Sequence, residues 1–216
     1  MRLIHRREMW VPTIQGWIVT LLFFAALMLY LLTHIHSFLA PNHPIKADIL
    51  VVEGWVPDYA LKNAIEEFKS DSYQKLITTG IPLEEGSYLS QYKNIADLAA
   101  ASLRALNFDQ NKLVAVPVSK ATINRTAATA IAVRQWLADS SFKEVASINL
   151  QSFDVHTRRS WLIYKQAFAP DIKVGVISVN SHEYNPDKWW ASSQGVRLIM
   201  SETIAYIYAK LFSWRA

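Results

Sequence analysis

The densest cluster of ionisable side chains in this chain follows an apolar run. In VASINLQSFDVHTRRSW (residues 145–161), Val145, Ala146, Ile148 and Leu150 read as a buried strand, and Asp154, His156, Arg158 and Arg159 come directly after it. The periodicity places His156, Thr157, Arg158 and Arg159 at the opening of a helix. In a parallel α/β sheet, ligands sit beyond the carboxyl ends of the strands, where helix N-termini offer free N–H groups and a partial positive charge. An imidazole and two guanidiniums there would receive an anion, most simply a phosphate or carboxylate. Positive charge in a first helical turn opposes the helix dipole, so it asks for a reason. The plain alternative is that Arg158 and Arg159 are solvated and His156 is a local cap.

Other strand ends would gather on the same rim. Glu53 and Trp55 follow the first strand, Thr79 and Gly80 the second, and Asn124, Arg125 and Thr126 the third; Asn180, His182 and Glu183 follow the fifth. Arg125, Arg158 and Arg159, with Thr126, Gly80 and Trp55, form the expected binding set for anionic oxygens. Glu53, Asp154 and His156 form the proton-transfer set, because a histidine beside a carboxylate acts as a general base near neutral pH. Two arginines beside it would keep the imidazole neutral. Hydrolysis or transfer at a phosphoryl or glycosyl-phosphate bond suits such a site, whereas binding alone needs only the arginines. Each residue also has a plain reading: Glu53 as a polar strand end, Gly80 as a turn glycine, Thr126 as a helix cap.

No Gly-rich dinucleotide fingerprint, P-loop, G-x-S-x-G elbow or H-E-x-x-H occurs, so no cofactor is assigned. The chain has no cysteine, which removes disulfides, thiolate catalysis and Cys-based zinc sites. His34, His36 and His43 have no accompanying carboxylate or regular ligand spacing, and read as a linker at a membrane edge rather than as a metal site. The net charge of +4 comes from scattered basic residues and leaves no nucleic-acid footprint.

The elements that must position the rim alternate. Strands are expected over residues 47–52, 75–79, 112–116, 145–150 and 173–179. Helices are expected over 58–69, 88–106, 125–138, 156–168 and 193–212. Short apolar runs separated by helical patterns predict βαβ units, hence a Rossmann-like three-layer α/β sandwich on a mainly parallel sheet of about five strands. In the last helix, Val196, Ile199, Met200, Ile204, Ile207 and Leu211 read as the packing face, and Glu202 and Lys210 as the solvated face.

Ahead of this domain (47–216) come a basic tail (1–10), a span (11–39) and a linker (40–46). The span holds no acidic or basic residue other than histidine, and residues 17–32 are almost unbroken hydrocarbon, enough to cross a bilayer. A cleaved signal peptide is the competitor, but the exit THIHSFLAPNHP has no small-x-small cleavage site. Arg2, Arg6 and Arg7 precede the span and no Lys or Arg follows until Lys46. The positive-inside rule then predicts a single-pass protein of the inner membrane, with a cytoplasmic N-terminus and an extracytoplasmic domain.

The order of anchor, ADILVV, TTG, an Arg125–Thr126 helix opening and HTRR after the fourth strand resembles the YdcF-like family that includes SanA and ElyC. The resemblance covers residues 46–179. Its most specific match is His156 with Arg159, as the family's H-x-x-R element, and Asp48, Gly80 and Thr126 also fit. The chain departs from the family pattern in four places, one of them Ile81, where the family has a second glycine after the second strand. Glu53, Gly54 and Trp55 stand where the family has a glycine pair. Tyr92 or Lys93 stands where it has an acid, and Ala128 and Thr129 where it has Glu-Asn. Glu53 or Glu84 would then supply the missing carboxylate. The resemblance implies a bacterial protein of cell-envelope biogenesis. Its expected partners are the bilayer and an anionic or lipid-linked precursor, which it binds or binds and processes. Its other expected role is as a scaffold alongside envelope-assembly proteins.

Overall fold

A computed structural model describes residues 10–83, 91–118, 123–140, 142 and 144–212, and the chain divides into two units, residues 1–35 and 36–216. Among its described residues the first unit is mostly helix α1 (Ile14–Leu39), whose last residues belong to the second unit. Thr13 caps it by accepting the Gly16 N–H at 3.2 Å. The hydroxyls within it are satisfied internally, Thr20 donating to the Gly16 carbonyl and Thr33 to that of Leu29, both at 2.9 Å. Its 26 residues give about 39 Å at the helical rise, more than the roughly 30 Å of a hydrocarbon core. The helix is long and apolar enough to cross a membrane. The basic tail residues Arg2, Arg6 and Arg7 lie outside the described residues.

The second unit, which includes the last turn of α1 from His36 onward, alternates strand and helix. In order these are β1 (Ile49–Glu53), α2 (Asp58–Ser70), β2 (Lys75–Gly80), α3 (Ile95–Ala105) and β3 (Leu113–Pro117). Then follow α4 (Arg125–Asp139), β4 (Ser147–Phe153), α5 (Thr157–Phe168), β5 (Lys173–Val179) and α6 (Ser193–Leu211). All five strands are parallel, in the order β3-β2-β1-β4-β5. Alternation along β1 divides the core between the two faces. Ile49 and Val51 join Ala130, Val133, Tyr164 and Phe168 of α4 and α5. Leu50 and Val52 join Leu61, Ala64, Phe68 and Leu103 of α2 and α3. Burial on both faces is why these strands are continuously apolar. The chain leaves β1 towards β2 and β3 and later returns to place β4 on the other side of β1, so a topological switch point opens beyond the ends of β1 and β4.

Several elements differ from the sequence expectation. Helix α3 starts at Ile95, well after residue 88, because Asn94 caps it by accepting the Asp97 N–H at 2.8 Å. Strand β4 begins at Ser147 and continues through Gln151 and Ser152, which are buried and bonded: Gln151 donates to the Ala60 carbonyl at 2.7 Å, and Ser152 donates to Glu53. Residues 40–46 are part of the fold, since His43 pairs with Val176 (2.8 and 3.0 Å) and covers the edge of β5. His36 is buried, with its Nε2 2.9 Å from Asp154. Finally, α6 does not pack through the expected stripe: Ile199 is buried, but Val196, Met200, Ile204, Ile207 and Leu211 face outward.

Candidate functional site

Glu53 is the last residue of β1, in register with Thr79 of β2, and is only 3% exposed. A carboxylate this deep needs donors, and two serines supply them: Ser152 at the end of β4, and Ser160 in α5 at 3.0 Å. Across the switch point, a single 3₁₀ turn (Asp154–His156) joins β4 to α5 and turns the His156 ring over Glu53, with Nε2 3.8 Å from Oε1. Trp55, half-exposed beyond the β1 turn, stands edge-on to that ring with centroids 5.0 Å apart.

Arg159, one helical turn after His156, lies on the same face of α5. Both meet Glu202 of α6. The Arg159 Nε donates to Oε2 at 2.9 Å and Nη2 to Oε1 at 3.1 Å, while His156 Nδ1 lies 3.0 Å from Oε1. Nδ1 is also 2.9 Å from Arg159 Nη2. A carboxylate oxygen can only accept, so a lone pair on Nδ1 would face another lone pair. A proton on Nδ1, donated to Glu202, satisfies both groups, and Arg159 is then satisfied by the carboxylate itself. Burial on its own would raise the Glu202 carboxyl, but hydrogen bonds from His156 and Arg159, and then their charges, hold it down at about 2. At the opposite side of Glu53, burial and then the Glu53 charge push the Tyr164 phenol up.

These groups floor a cleft of about 1010 Å³. Arg125 and Thr126 at the start of α4, with Gly80 and Thr79, form one side. A further wall, mostly apolar, comes from α6 and the residue after it: Leu198, Ile204, Ala205, Tyr208 and Phe212, with Gln194 and Ser201 among them. Gly80 is required by close approach, because a Cβ there would lie 2.7 Å from the Ile95 Cβ and 2.9 Å from the Ala96 nitrogen at the start of α3. Thr126 is not the cap of α4; that position is Asn124, in the left-handed region at φ 50°.

The structure thus brings Glu53, Trp55, Gly80, Arg125, Thr126, His156 and Arg159 around one cleft. Two expected site residues have other work. Arg158 stacks its guanidinium over the Phe38 ring at 4.1 Å and donates to the Phe38 carbonyl. Asp154 is buried at φ 48°, with both oxygens engaged, one by His36 at 2.9 Å and the other by Tyr184. Burial, and then the hydrogen bond that it donates to Asp154 and the charge of that carboxylate, push the Tyr184 phenol up. Asp154 therefore fixes the turn, and it too lines the cleft. The imidazole lies between two carboxylates and beside one guanidinium, that of Arg159, rather than beside two as the sequence suggested. Asp48 is remote from the rim, accepting the Ala146 and Ser147 N–H groups at 3.2 Å at the opposite end of the sheet. His182 stacks on Tyr59 at 3.9 Å. Glu84 lies outside the described residues.

Sequence reasoning missed Glu202, assigning it to a solvated face, although its side chain is only 15% exposed. The available signal was that it is the single acidic residue of α6. Ser152 and Ser160 were missed because hydroxyls carry no periodic signature. Among the described residues no group of three or more His, Asp or Glu side chains is placed to hold a metal ion. Compared with known proteins, the chain matches no family model and no curated protein.

Proposed function

We propose that this chain is a membrane-anchored, extracytoplasmic protein of bacterial cell-envelope biogenesis, of the YdcF-like kind, that binds and processes an anionic phosphorylated or lipid-linked precursor. The observation that carries the reading is the Glu202–His156 hydrogen bond, 3.0 Å long, at the floor of a cleft with a cationic rim on one side and an apolar wall on the other. Such a cleft suits an amphiphile whose polar end lies at the switch point and whose chain lies along α6. The α1 span and the basic residues ahead of it support anchoring with the domain outside.

In this reading Glu202 holds the His156 proton on Nδ1, which leaves the Nε2 lone pair facing the cleft. Nε2 takes a proton from water or an acceptor hydroxyl as that oxygen bonds to phosphorus. The P–O bond to the leaving group breaks, and the leaving oxygen takes the proton back from Nε2. Glu53, 3.8 Å away, stabilises the transient imidazolium. Arg159 balances the charge of Glu202, so the floor does not repel an anion, and Arg125 at the rim meets the phosphate.

The test is mass spectrometry of lipids and small molecules released from gently purified full-length protein, with a His156→Ala, Arg159→Ala double variant as control. A phosphorylated amphiphile carried by the wild type, absent from the variant and converted on incubation, is the expected result. Retention without conversion would instead identify a non-catalytic sensor or scaffold. The absence of any ligand from both proteins would overturn the reading.

A further inference from the structure

Helix α6 is apolar on the side turned away from the domain. Ile199 and Ala209 are its buried hydrophobic residues, and Glu202 turns inward to His156. Val196, Met200, Ile204, Ile207 and Leu211 are between 37% and 71% exposed. At 3.6 residues per turn these five positions fall within an arc of roughly 80°, whose centre is about 160° round the helix from Glu202 and about 100° from Ile199. A continuous apolar stripe of this kind marks a surface that is covered in the working protein.

The chain itself indicates what covers it. The hydrocarbon run ends at Leu32, four residues before His36, the first residue of the second unit. Four residues reach at most about 14 Å even when fully extended. His36 is fixed to Asp154 at 2.9 Å, and Phe38 packs edge-on against Tyr206 of α6 with centroids 5.5 Å apart. The guanidinium of Arg158 lies over the same Phe38 ring at 4.1 Å. The point at which the span joins the domain is therefore bound to α6. Arg197 and Lys210 flank the stripe, where long basic side chains reach lipid phosphates while their stems lie on hydrocarbon.

We infer that the outer face of α6 docks on the bilayer in which α1 is anchored, lying in its interface with Met200, Ile207 and Leu211 in lipid and Ile204 where this face meets the mouth of the cleft. This rests on the reading that α1 spans that bilayer. The neighbouring side of the same helix, with Leu198, Ala205 and Tyr208, lines the cleft. The acyl chain of a lipid-linked ligand thus has an apolar path along α6 to His156 without crossing water.

Because the chain has no cysteine, a single thiol can be introduced and labelled at Ile204 or Leu211. Full-length protein carrying bimane there would be reconstituted in nanodiscs of phosphatidylethanolamine and phosphatidylglycerol doped with chain-nitroxide lipid. Phe24→Cys in α1 serves as the membrane reference, and Glu66→Cys on the exposed side of α2 as the aqueous one. The expected result is quenching at Ile204→Cys and Leu211→Cys several-fold above that at Glu66→Cys and approaching that at Phe24→Cys. If Phe24→Cys is quenched while the α6 probes match Glu66→Cys, the docking is overturned and the anchor stands. If Phe24→Cys is itself unquenched, the anchor fails and the docking with it. Unquenched α6 thiols that cross-link two copies would assign the stripe to self-association and overturn the inference.

Discussion

Removing the charge of Glu202 while keeping its shape separates its electrostatic part from its packing. In Glu202→Gln the amide still fills the space beside His156 and Arg159, but the partly buried guanidinium loses its counter-charge, at a cost of about 1–3 kcal/mol. The pH dependence carries the sign. Glu202 is held at about 2 in the folded chain against an ordinary value of 4.5. A depressed carboxylate contributes stability that is fully present above the unfolded value and is lost as pH falls through the folded one. Denaturant midpoints should therefore drop between pH values of about 4.5 and 2, and the Glu202→Gln curve should be flatter there. Equal slopes for the two proteins would refute the pairing. Asp154→Asn makes a second residue-scale test. Asparagine tolerates the left-handed backbone at φ 48°, so the loss reports the buried His36 pair. We expect a destabilisation of about 3 kcal/mol or more in chemical unfolding of the detergent-solubilised chain.

At the scale of elements, the site depends on two contacts that hold helix ends in place. Gly80 lets the start of α3 approach β2, and a methyl group 2.7 Å from the Ile95 Cβ must push that helix end away. Gly80→Ala should cost about 1–3 kcal/mol and lower ligand retention, both read on the same preparation. Ile199, at 2% exposure, is the large side chain that seats α6. Ile199→Ala should cost about 2–4 kcal/mol and loosen Glu202 from His156, whereas Ile204→Ser on the outer face should leave stability in detergent within about 0.5 kcal/mol. Comparable losses for the two changes would mean that α6 packs through the other face. This is also where the sequence was least legible. The α6 pattern is apolar nearly all round, so periodicity identified a helix but not which stripe faced the sheet. Strand β4 was cut short for a similar reason: Gln151 and Ser152 look like a turn until their partners, the Ala60 carbonyl and Glu53, are known.

At the scale of the whole molecule, one chain carries a long apolar helix and a parallel α/β domain, and the buried His36–Asp154 pair lies within the second unit. Anchoring predicts that the full-length chain stays with membranes through an alkaline carbonate wash and leaves them only with detergent. Release by carbonate would remove the basis for both the proposed function and the docking of α6.

Local pattern was enough to determine the alternation of five strands with helices, the parallel sheet, the apolar span and the gathering of Glu53, Arg125, His156 and Arg159 on one rim. Those features follow from hydrophobic period and from the geometry of βαβ connections, which act within a few tens of residues. Only the tertiary structure decided which ionisable groups face one another. It gave Asp154 to His36, turned Arg158 onto Phe38, and brought Glu202 from 46 residues away to His156. The physical reason is that charge pairing depends on distances of a few ångströms between separate elements, and no periodicity along the chain encodes those distances.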